Sequence, residues 1–408
     1  MGLTIATTTP LPAGIIGLPY SLLFQATGGI PPYKWSVSAG RLPSGLKLNG
    51  TSGLLSGKST IPGTNTFRVA VSDSTGQSIS NNFVLIVRDV FRSLAGTYTG
   101  LILQTNTPTY ASSGFIQIVV SKAGAFASNL SLAGQKTTVK GQFDLTGNAT
   151  NTVARASMAL HLDIDGTGRG ITGKLNGNGF TSDLLAELPG TAAMGTYTLV
   201  FSPTDAALTN LPQGYGYATL IASRKGSSSL RGVLNDGAKL SAKAPVSRSG
   251  RWPLYVSLYN NTGGCIGWVN FATNSTAEAV VDWFAPASKG YAAFTTTLMV
   301  DGSKYTSGPQ PLSGDWNVTF SGGGLASNLV NVVTLDAAGK VTITQPGLDG
   351  LTLKLTIRSG LLTGSFKTTG VGTALPFNGL LLQMQDVGAG LFQTTAGQTG
   401  GIILEPSR

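Results

Sequence analysis

Gly114-Phe115-Ile116-Gln117-Ile118-Val119-Val120-Ser121-Lys122-Ala123-Gly124 reads as a β-strand rich in branched side chains that stops at a basic residue and turns on a glycine. Gly216-Tyr217-Ala218-Thr219-Leu220-Ile221-Ala222-Ser223-Arg224-Lys225-Gly226 repeats it position by position, and Leu351-Thr352-Leu353-Lys354-Leu355-Thr356-Ile357-Arg358-Ser359-Gly360 is a looser third copy. After each turn a second apolar run returns, over 126–132, 230–234 and 361–366, so the repeated element is a hairpin. The strands that open the units recur as well, as Gly96-Thr97-Tyr98-Thr99-Gly100-Leu101, Gly195-Thr196-Tyr197-Thr198-Leu199-Val200 and Gly314-Asp315-Trp316-Asn317-Val318. This spacing predicts units of about a hundred residues, each with roughly six to eight antiparallel strands closed into a barrel or barrel-like sandwich. The expected organisation is all-β, with a first module over 1–90 and repeat units over 91–192, 193–290 and 291–408.

Composition agrees with that class. A chain of 408 residues divides into roughly two to four domains. Charged residues are 11 % of it, with 56 glycines, against about a quarter charged in an ordinary soluble domain. The surface is therefore solvated mainly by hydroxyls and amides, while a 41 % hydrophobic fraction in short runs supplies enough apolar area to fold. Helical periodicity is scarce, and the best stretch, 182–188, is about two turns long. Cys265 is the only cysteine, so no intrachain disulfide is available and the framework must rest on packing. The first residues lack a basic and an apolar export region, and the chain reads as a fragment that begins inside a module's first strand. No apolar run of about 18 residues occurs. Strands of an outer-membrane barrel are not expected either, because the runs are short, the turns carry no aromatic girdle and the chain ends Leu404-Glu405-Pro406-Ser407-Arg408.

Residues 10–88 hold four blocks in order: Gly28-Gly29-Ile30-Pro31-Pro32-Tyr33-Lys34-Trp35-Ser36-Val37, Leu42-Pro43-Ser44-Gly45-Leu46-Lys47-Leu48, Gly53-Leu54-Leu55-Ser56-Gly57, and Thr66-Phe67-Arg68-Val69-Ala70-Val71-Ser72-Asp73. Tyr33, Trp35 and Val37 alternate on one face, as do Phe67, Val69 and Val71, which supplies two inner faces of a sandwich with Trp35 in its core. These blocks resemble the bacterial putative Ig-like family, which is itself similar to cadherin-like and dystroglycan-type modules. The resemblance implies a β-sandwich serving as a spacer or adhesion module of a secreted or cell-surface protein. Cadherin relatives bind Ca²⁺ at module junctions through several acidic residues; only Asp73 and Asp89 stand near the ends here, so no calcium site is expected. The rest of the chain is similar to β-rich repeats of large secreted bacterial proteins, a resemblance that carries no activity with it.

The reactive side chains are few. His161 is the only histidine and sits in an alternating run, which leaves no multi-histidine metal site and makes an outward strand residue the expected reading. Gly53-Leu54-Leu55-Ser56-Gly57-Lys58-Ser59 lacks one of the four residues a phosphate loop needs between its glycines, and no helix follows. Asp163-Ile164-Asp165-Gly166-Thr167-Gly168-Arg169 lacks the closing Glu of a Ca²⁺ loop, and its Asp-Gly reads as a hairpin turn, like Asp236-Gly237, Asp301-Gly302 and Asp349-Gly350. Glu278 and Asp282 are the first carboxylates to consider for glycoside hydrolysis, yet four positions along a strand separates them by ~13 Å, beyond the catalytic range. No enzyme, cofactor or metal is expected.

One patch points to binding. The formal charge is +10, and Arg224, Lys225, Arg231, Lys239, Lys243, Arg248 and Arg251 stand against Asp236 alone in one short stretch. Trp252, Tyr255, Tyr259 and Trp268 follow, so cations adjoin rings that could stack on sugars. The candidate site is Arg224, Lys225, Arg231, Arg248, Arg251, Trp252, Tyr255 and Tyr259, and its expected partner is an acidic polysaccharide or lipopolysaccharide rather than nucleic acid. The competing reading puts Trp252, Tyr255 and Trp268 in a core while the cations solvate its outer face. The expected function is a non-catalytic extracellular or cell-surface adhesion protein. The alternative is a stalk or filament subunit that joins other copies or neighbouring modules by strand addition through 3–5 or 402–404.

Overall fold

The computed structural model describes residues 2–104, 106–153, 156–164, 170–191, 193–204, 210–223, 227–272, 275–288, 290–308, 312–344, 348, 350–368 and 373–407. The chain divides into two compact units, one made of 1–96 with 119–126 and 140–149, the other of the remaining residues. An Ig-like domain opens the chain and three nearly closed eight-stranded barrel-like sheets follow.

In the Ig-like domain a four-stranded sheet holds Gly63–Ser72 between Lys34–Gly40 and Ser78–Arg88, with Gly14–Ile15 added in parallel at its edge. A three-stranded sheet of Pro19–Leu23, Leu54–Lys58 and Leu46–Leu48 faces it. The alternation in the fourth sequence block does what it predicts: Phe67, Val69 and Val71 are 0–1 % exposed. Trp35 is buried beside Phe24, whose ring meets Phe83 edge-on at 4.9 Å. Asp73 caps the turn after Ser72 rather than a cation site. Its Oδ1 accepts from the Thr75 hydroxyl and the Thr75 and Gln77 amides, and its Oδ2 accepts from the Ile30 amide. The Thr75 hydroxyl, followed by these amides, holds that carboxyl below its usual range.

Each barrel is an up-and-down meander whose first strand pairs with its last. The first contains Gly96–Leu103, Gly114–Val120, Ala125–Leu132, Gln135–Gln142, Asn148–Val153, Ala156–Leu162, Gly170–Gly177 and Phe180–Glu187, closed by Leu101 opposite Leu185. The second contains Gly195–Pro203, Gly216–Ala222, Ser228–Val233, Lys239–Ala244, Arg251–Leu258, Gly263–Phe271, Thr276–Ala285 and Phe294–Tyr305, closed by Val200 opposite Asp301. The third contains Gly314–Gly322, Leu329–Leu335, Val341–Ile343, Thr352–Thr356, Leu361–Phe366, Leu375–Leu382, Val387–Gln393 and Thr399–Pro406, closed by Thr319 opposite Ile403. The ladder is open at one seam, between the fourth and fifth strands in the first two barrels and between the third and fourth in the last.

Side chains fill the interiors, as eight strands allow. Met158, Leu160 and Leu162 point into the first barrel while Ser157, Ala159 and His161 point out. Trp252, Trp283 and Phe201 fill the second, and Phe320, Phe366, Phe377 and Phe392 pack against one another in the third. The interiors are apolar, whereas the lumen of a lipid-embedded barrel is polar, and the outer faces mix polar residues with exposed Val119, Ile221, Val280 and Val330. No helix among the described residues is long and apolar enough to cross a membrane.

Several expectations change. Residues 182–188 lie in the strand Phe180–Glu187, because Ser182, Leu184 and Ala186 alternate into the barrel and sheet pairing overrides a short helical preference. Asp301-Gly302 is strand interior rather than a turn, and Gly302 is needed there because a Cβ would strike Leu199. The boundary expected after 290 falls inside the second barrel, whose last strand is Phe294–Tyr305. The third counterpart of Gly114–Val120 and Gly216–Ala222 is Leu329–Leu335, the strand beside Gly314–Gly322; the run from Leu351 instead begins the far side of the seam. Of the two terminal segments, 402–404 is not free for strand addition, because Thr399–Pro406 is paired on both sides, whereas Thr4 and Ile5 pair with Thr27 and Ala26 on one edge only, in a two-stranded sheet. Residues 165–169 and Asp349 lie outside the described residues.

Candidate binding surface

The strand Arg251–Leu258 explains why cations and rings adjoin in the sequence. Its two faces go to different places. Trp252, Leu254 and Val256 point into the second barrel, where Trp252 is fully buried and its Nε1 donates to the Ala244 carbonyl at 2.9 Å. A ring with no exposed face cannot stack on a ligand, so Trp252 leaves the candidate site. Arg251, Tyr255 and Ser257 point the other way, toward the first barrel.

There they build an interface. Leu101, Leu103, Tyr110 and Phe115 of the first barrel pack with Tyr255, Ile266, Trp268 and Phe284 of the second. Tyr255 stacks on Phe115 with ring centres 6.4 Å apart, and its Oη accepts from the Gly134 amide at 2.9 Å. Tyr110 shares a hydrogen bond with Ser257, and burial pushes its phenol up to about 12. Arg251 Nη2 donates to Glu187 Oε1 at 2.8 Å, the Ser249 hydroxyl donates to Glu187 Oε2 at 2.6 Å, and the guanidinium lies 5.3 Å from the centre of the Trp268 ring. Arg251 and Tyr255 are therefore structural. Glu187, 64 residues before Arg251 in the chain, carried no cue that it belongs beside this patch.

Tyr259 is also engaged. Its hydroxyl donates to Asp236 Oδ2 at 2.8 Å and accepts from Trp283 Nε1 at 2.9 Å. Burial, then the Asp236 carboxylate, raises the Tyr259 phenol well above its ordinary range. Arg224 and Lys225 lie outside the described residues.

Arg231 and Arg248 remain exposed. Arg231 stands on the outer face opposite Ser241, and Lys239 and Lys243 flank Ser241 on the same face of the neighbouring strand. Both lysines are diagonal neighbours of Arg231, about 7–8 Å away across the pair of strands. None of the three is in an ion pair among the described residues. The outward residues beside them, Ser229, Ser241 and Thr219, carry no charge. The signal for this face was the period-two placement of Lys239 and Lys243 around buried Leu240.

The reactive groups stay apart. His161 is exposed on the outer face opposite Thr172. Cys265 is 1 % exposed, and burial, with Asp282 nearby, raises its thiol far above the usual range, which suits packing rather than nucleophilic attack. Glu278 and Asp282 share one strand face, and burial raises the Asp282 carboxyl. No group of three His, Cys, Asp or Glu among the described residues could hold a metal ion.

The architecture thus defines a modular all-β protein: an Ig-like domain ahead of three barrels that pack on one another. Residues 3–88 match the family described as Putative Ig domain, so the N-terminal module is an Ig-like domain of that kind. No curated protein sequence matches the chain. Among solved structures it is similar to an endo-1,5-alpha-L-arabinanase from Thermotoga petrophila RKU-1, at 10 % identity and a TM-score of 0.20, over 75 % of this chain and 82 % of that one. It is also similar to the human desmocollin-1 ectodomain, at 6 % identity and a TM-score of 0.20, over 100 % of this chain and 79 % of the other. For the protocadherin gammaB7 EC3-6 cis-dimer structure the values are 9 % and 0.19, over 99 % and 100 %. Overlap at this level defines neither a common fold nor a shared activity.

Proposed function

We propose that this chain is a non-catalytic, extracytoplasmic adhesion or binding protein whose second barrel presents a cationic face to an anionic polysaccharide or to the anionic saccharide of lipopolysaccharide. The observation that carries this reading is the placement of Arg231, Lys239 and Lys243 on one outer face without a carboxylate partner among the described residues. Three like charges held together are tolerated because water solvates them, and they raise the local concentration of a polyanion. Filled barrel interiors and a buried thiol support a protein without catalysis. An Ig-like first domain supports a place outside the cytoplasm, where such domains serve as adhesion modules. Single-stranded nucleic acid fits less well, since Trp252, Tyr255 and Tyr259 are spent on packing and offer no base-stacking platform.

The test is binding of the whole chain to alginate, a polyuronate, with dextran as the neutral control, at about 0.1 M and about 1 M salt, where the screening length falls from ~10 to ~3 Å. Alginate should bind at low salt only, and dextran should not share this face. The triple change Arg231→Ser, Lys239→Ser and Lys243→Ser should abolish alginate binding without altering thermal stability. Undiminished binding by that variant would discard the proposal.

A further inference from the structure

The first barrel differs from the other two at the face where they receive a neighbour. In the second barrel the sixth and seventh strands carry Ile266 and Phe284 against the first barrel. In the third, the same two strands carry Leu382 and Ala389 against Val200 and Tyr215 of the second. The donating strand is the same each time, with Leu101 in one interface and Val200 in the other, and Thr198 adds a hydrogen bond to the Leu381 carbonyl at 2.8 Å. The sixth and seventh strands of the first barrel, Ala156–Leu162 and Gly170–Gly177, turn Ser157, Ala159, His161, Thr172 and Lys174 outward, all exposed and mostly hydrophilic, so that face offers no apolar seat for a barrel.

Beside it the barrel mouth opens into a depression of ≈ 500 Å³, lined by Gln104, Asn106, Gly177, Gly179, Phe180 and Thr181. Gln104 and Asn106 follow the first strand, which ends at Leu103, and the glycines belong to the hairpin that joins the seventh and eighth strands. Gly177 has a steric role, because a Cβ there would run into the Phe180 ring, which can lie close to the hairpin only when residue 177 has no side chain. Phe180 is left half-buried, with part of its ring facing the depression.

We infer that this mouth is a second binding site, for a neutral polyhydroxylated ligand of mono- or disaccharide size. The volume lies in the range of small-molecule sites, and barrel mouths are a preferred place for them. Among the described residues no lining residue is charged, so the site offers no counter-charge to an ion. No hydrogen bond engages the side-chain amides of Gln104 and Asn106 among the described residues, and each offers two N–H donors and a carbonyl acceptor, the pattern that adjacent sugar hydroxyls satisfy. The Thr181 hydroxyl donates to Asn176 Oδ1 at 2.9 Å, which leaves its oxygen to accept from the ligand. The Phe180 ring supplies the apolar surface that the C–H face of a pyranose covers.

This site and the cationic face lie on different barrels, so they can be tested apart. The whole chain is titrated calorimetrically with glucose, galactose, mannose and their common disaccharides at low and high salt. One or more should bind saturably with an affinity that salt does not change. Gln104→Ala with Asn106→Ala, both partly or fully exposed and so harmless to the fold, should weaken it at least about tenfold, the equivalent of two lost hydrogen bonds. Phe180→Leu should weaken it while keeping barrel packing, and the Arg231, Lys239 and Lys243 triple variant should leave it unchanged. Failure of every sugar to bind saturably would overturn the inference, as would binding that survives both the amide and the ring substitutions.

Discussion

Replacing Arg251 by Met should loosen the contact between the first two barrels, and the structure sets the size of the effect. Glu187 is 1 % exposed and accepts from Arg251 and Ser249, whereas the Arg251 side chain is 32 % exposed. Stripping a buried carboxylate of its cation costs about 3–5 kcal/mol when both partners are buried. Solvent reaches the Arg251 end, so the expected loss is about 2–3 kcal/mol, including the contact of the guanidinium with Trp268. Urea unfolding followed by tryptophan fluorescence reads this directly, because Trp252, Trp268 and Trp283 all lie in the second barrel. Adding Glu187→Leu should recover most of the loss, since the uncompensated charge goes with it. A loss under about 0.5 kcal/mol in the single variant, or a double variant as damaged as the sum of the two singles, would refute the assignment of Arg251 to the interface.

Tyr259→Phe leaves the Trp283 indole N–H and one Asp236 oxygen unpartnered in a buried setting, and should cost about 1–3 kcal/mol in the same urea assay while leaving alginate binding intact. Asp282 has its carboxyl raised by burial, so folding favours its protonated form. That contribution is complete below the unfolded carboxylate range and is lost as pH rises through the folded value. Asp282→Asn should accordingly raise the melting temperature at neutral pH, with the gain disappearing in acid; a gain that persists in acid would exclude titration as its cause. Asn331 points into the third barrel at 3 % exposure, and neither its amide nitrogen nor its oxygen has a partner among the described residues. Asn331→Leu should stabilise the chain by about 1–2 kcal/mol, checked by differential scanning calorimetry, and a destabilisation of that size would show that the amide is satisfied from within.

Much of the fold was legible because strand alternation is a local property. Phe67, Val69 and Val71, or Met158, Leu160 and Leu162, declare an inner face without knowledge of their partners. The repeat of Gly96, Gly195 and Gly314 marked the first strand of each barrel. Which strands close each barrel was not legible, because the pairing of Val200 with Asp301 joins residues from opposite ends of a unit and depends on geometry. Burial on both faces hid the site in the same way. Tyr255 alternates outward like a surface residue, and only the position of Phe115 shows that a second barrel covers it. Trp252, by contrast, alternates with Leu254 and Val256, and that period alone places it inside.

Amide hydrogen exchange of the whole chain with and without alginate at low salt tests most directly the idea that filled barrels leave their outer faces to do the binding. Slowed exchange should be confined to the adjacent strands Ser228–Val233 and Lys239–Ala244 and should vanish at high salt. Protection centred on the Ig-like domain or on inward residues such as Trp252, or no protection while alginate remains bound, would contradict it.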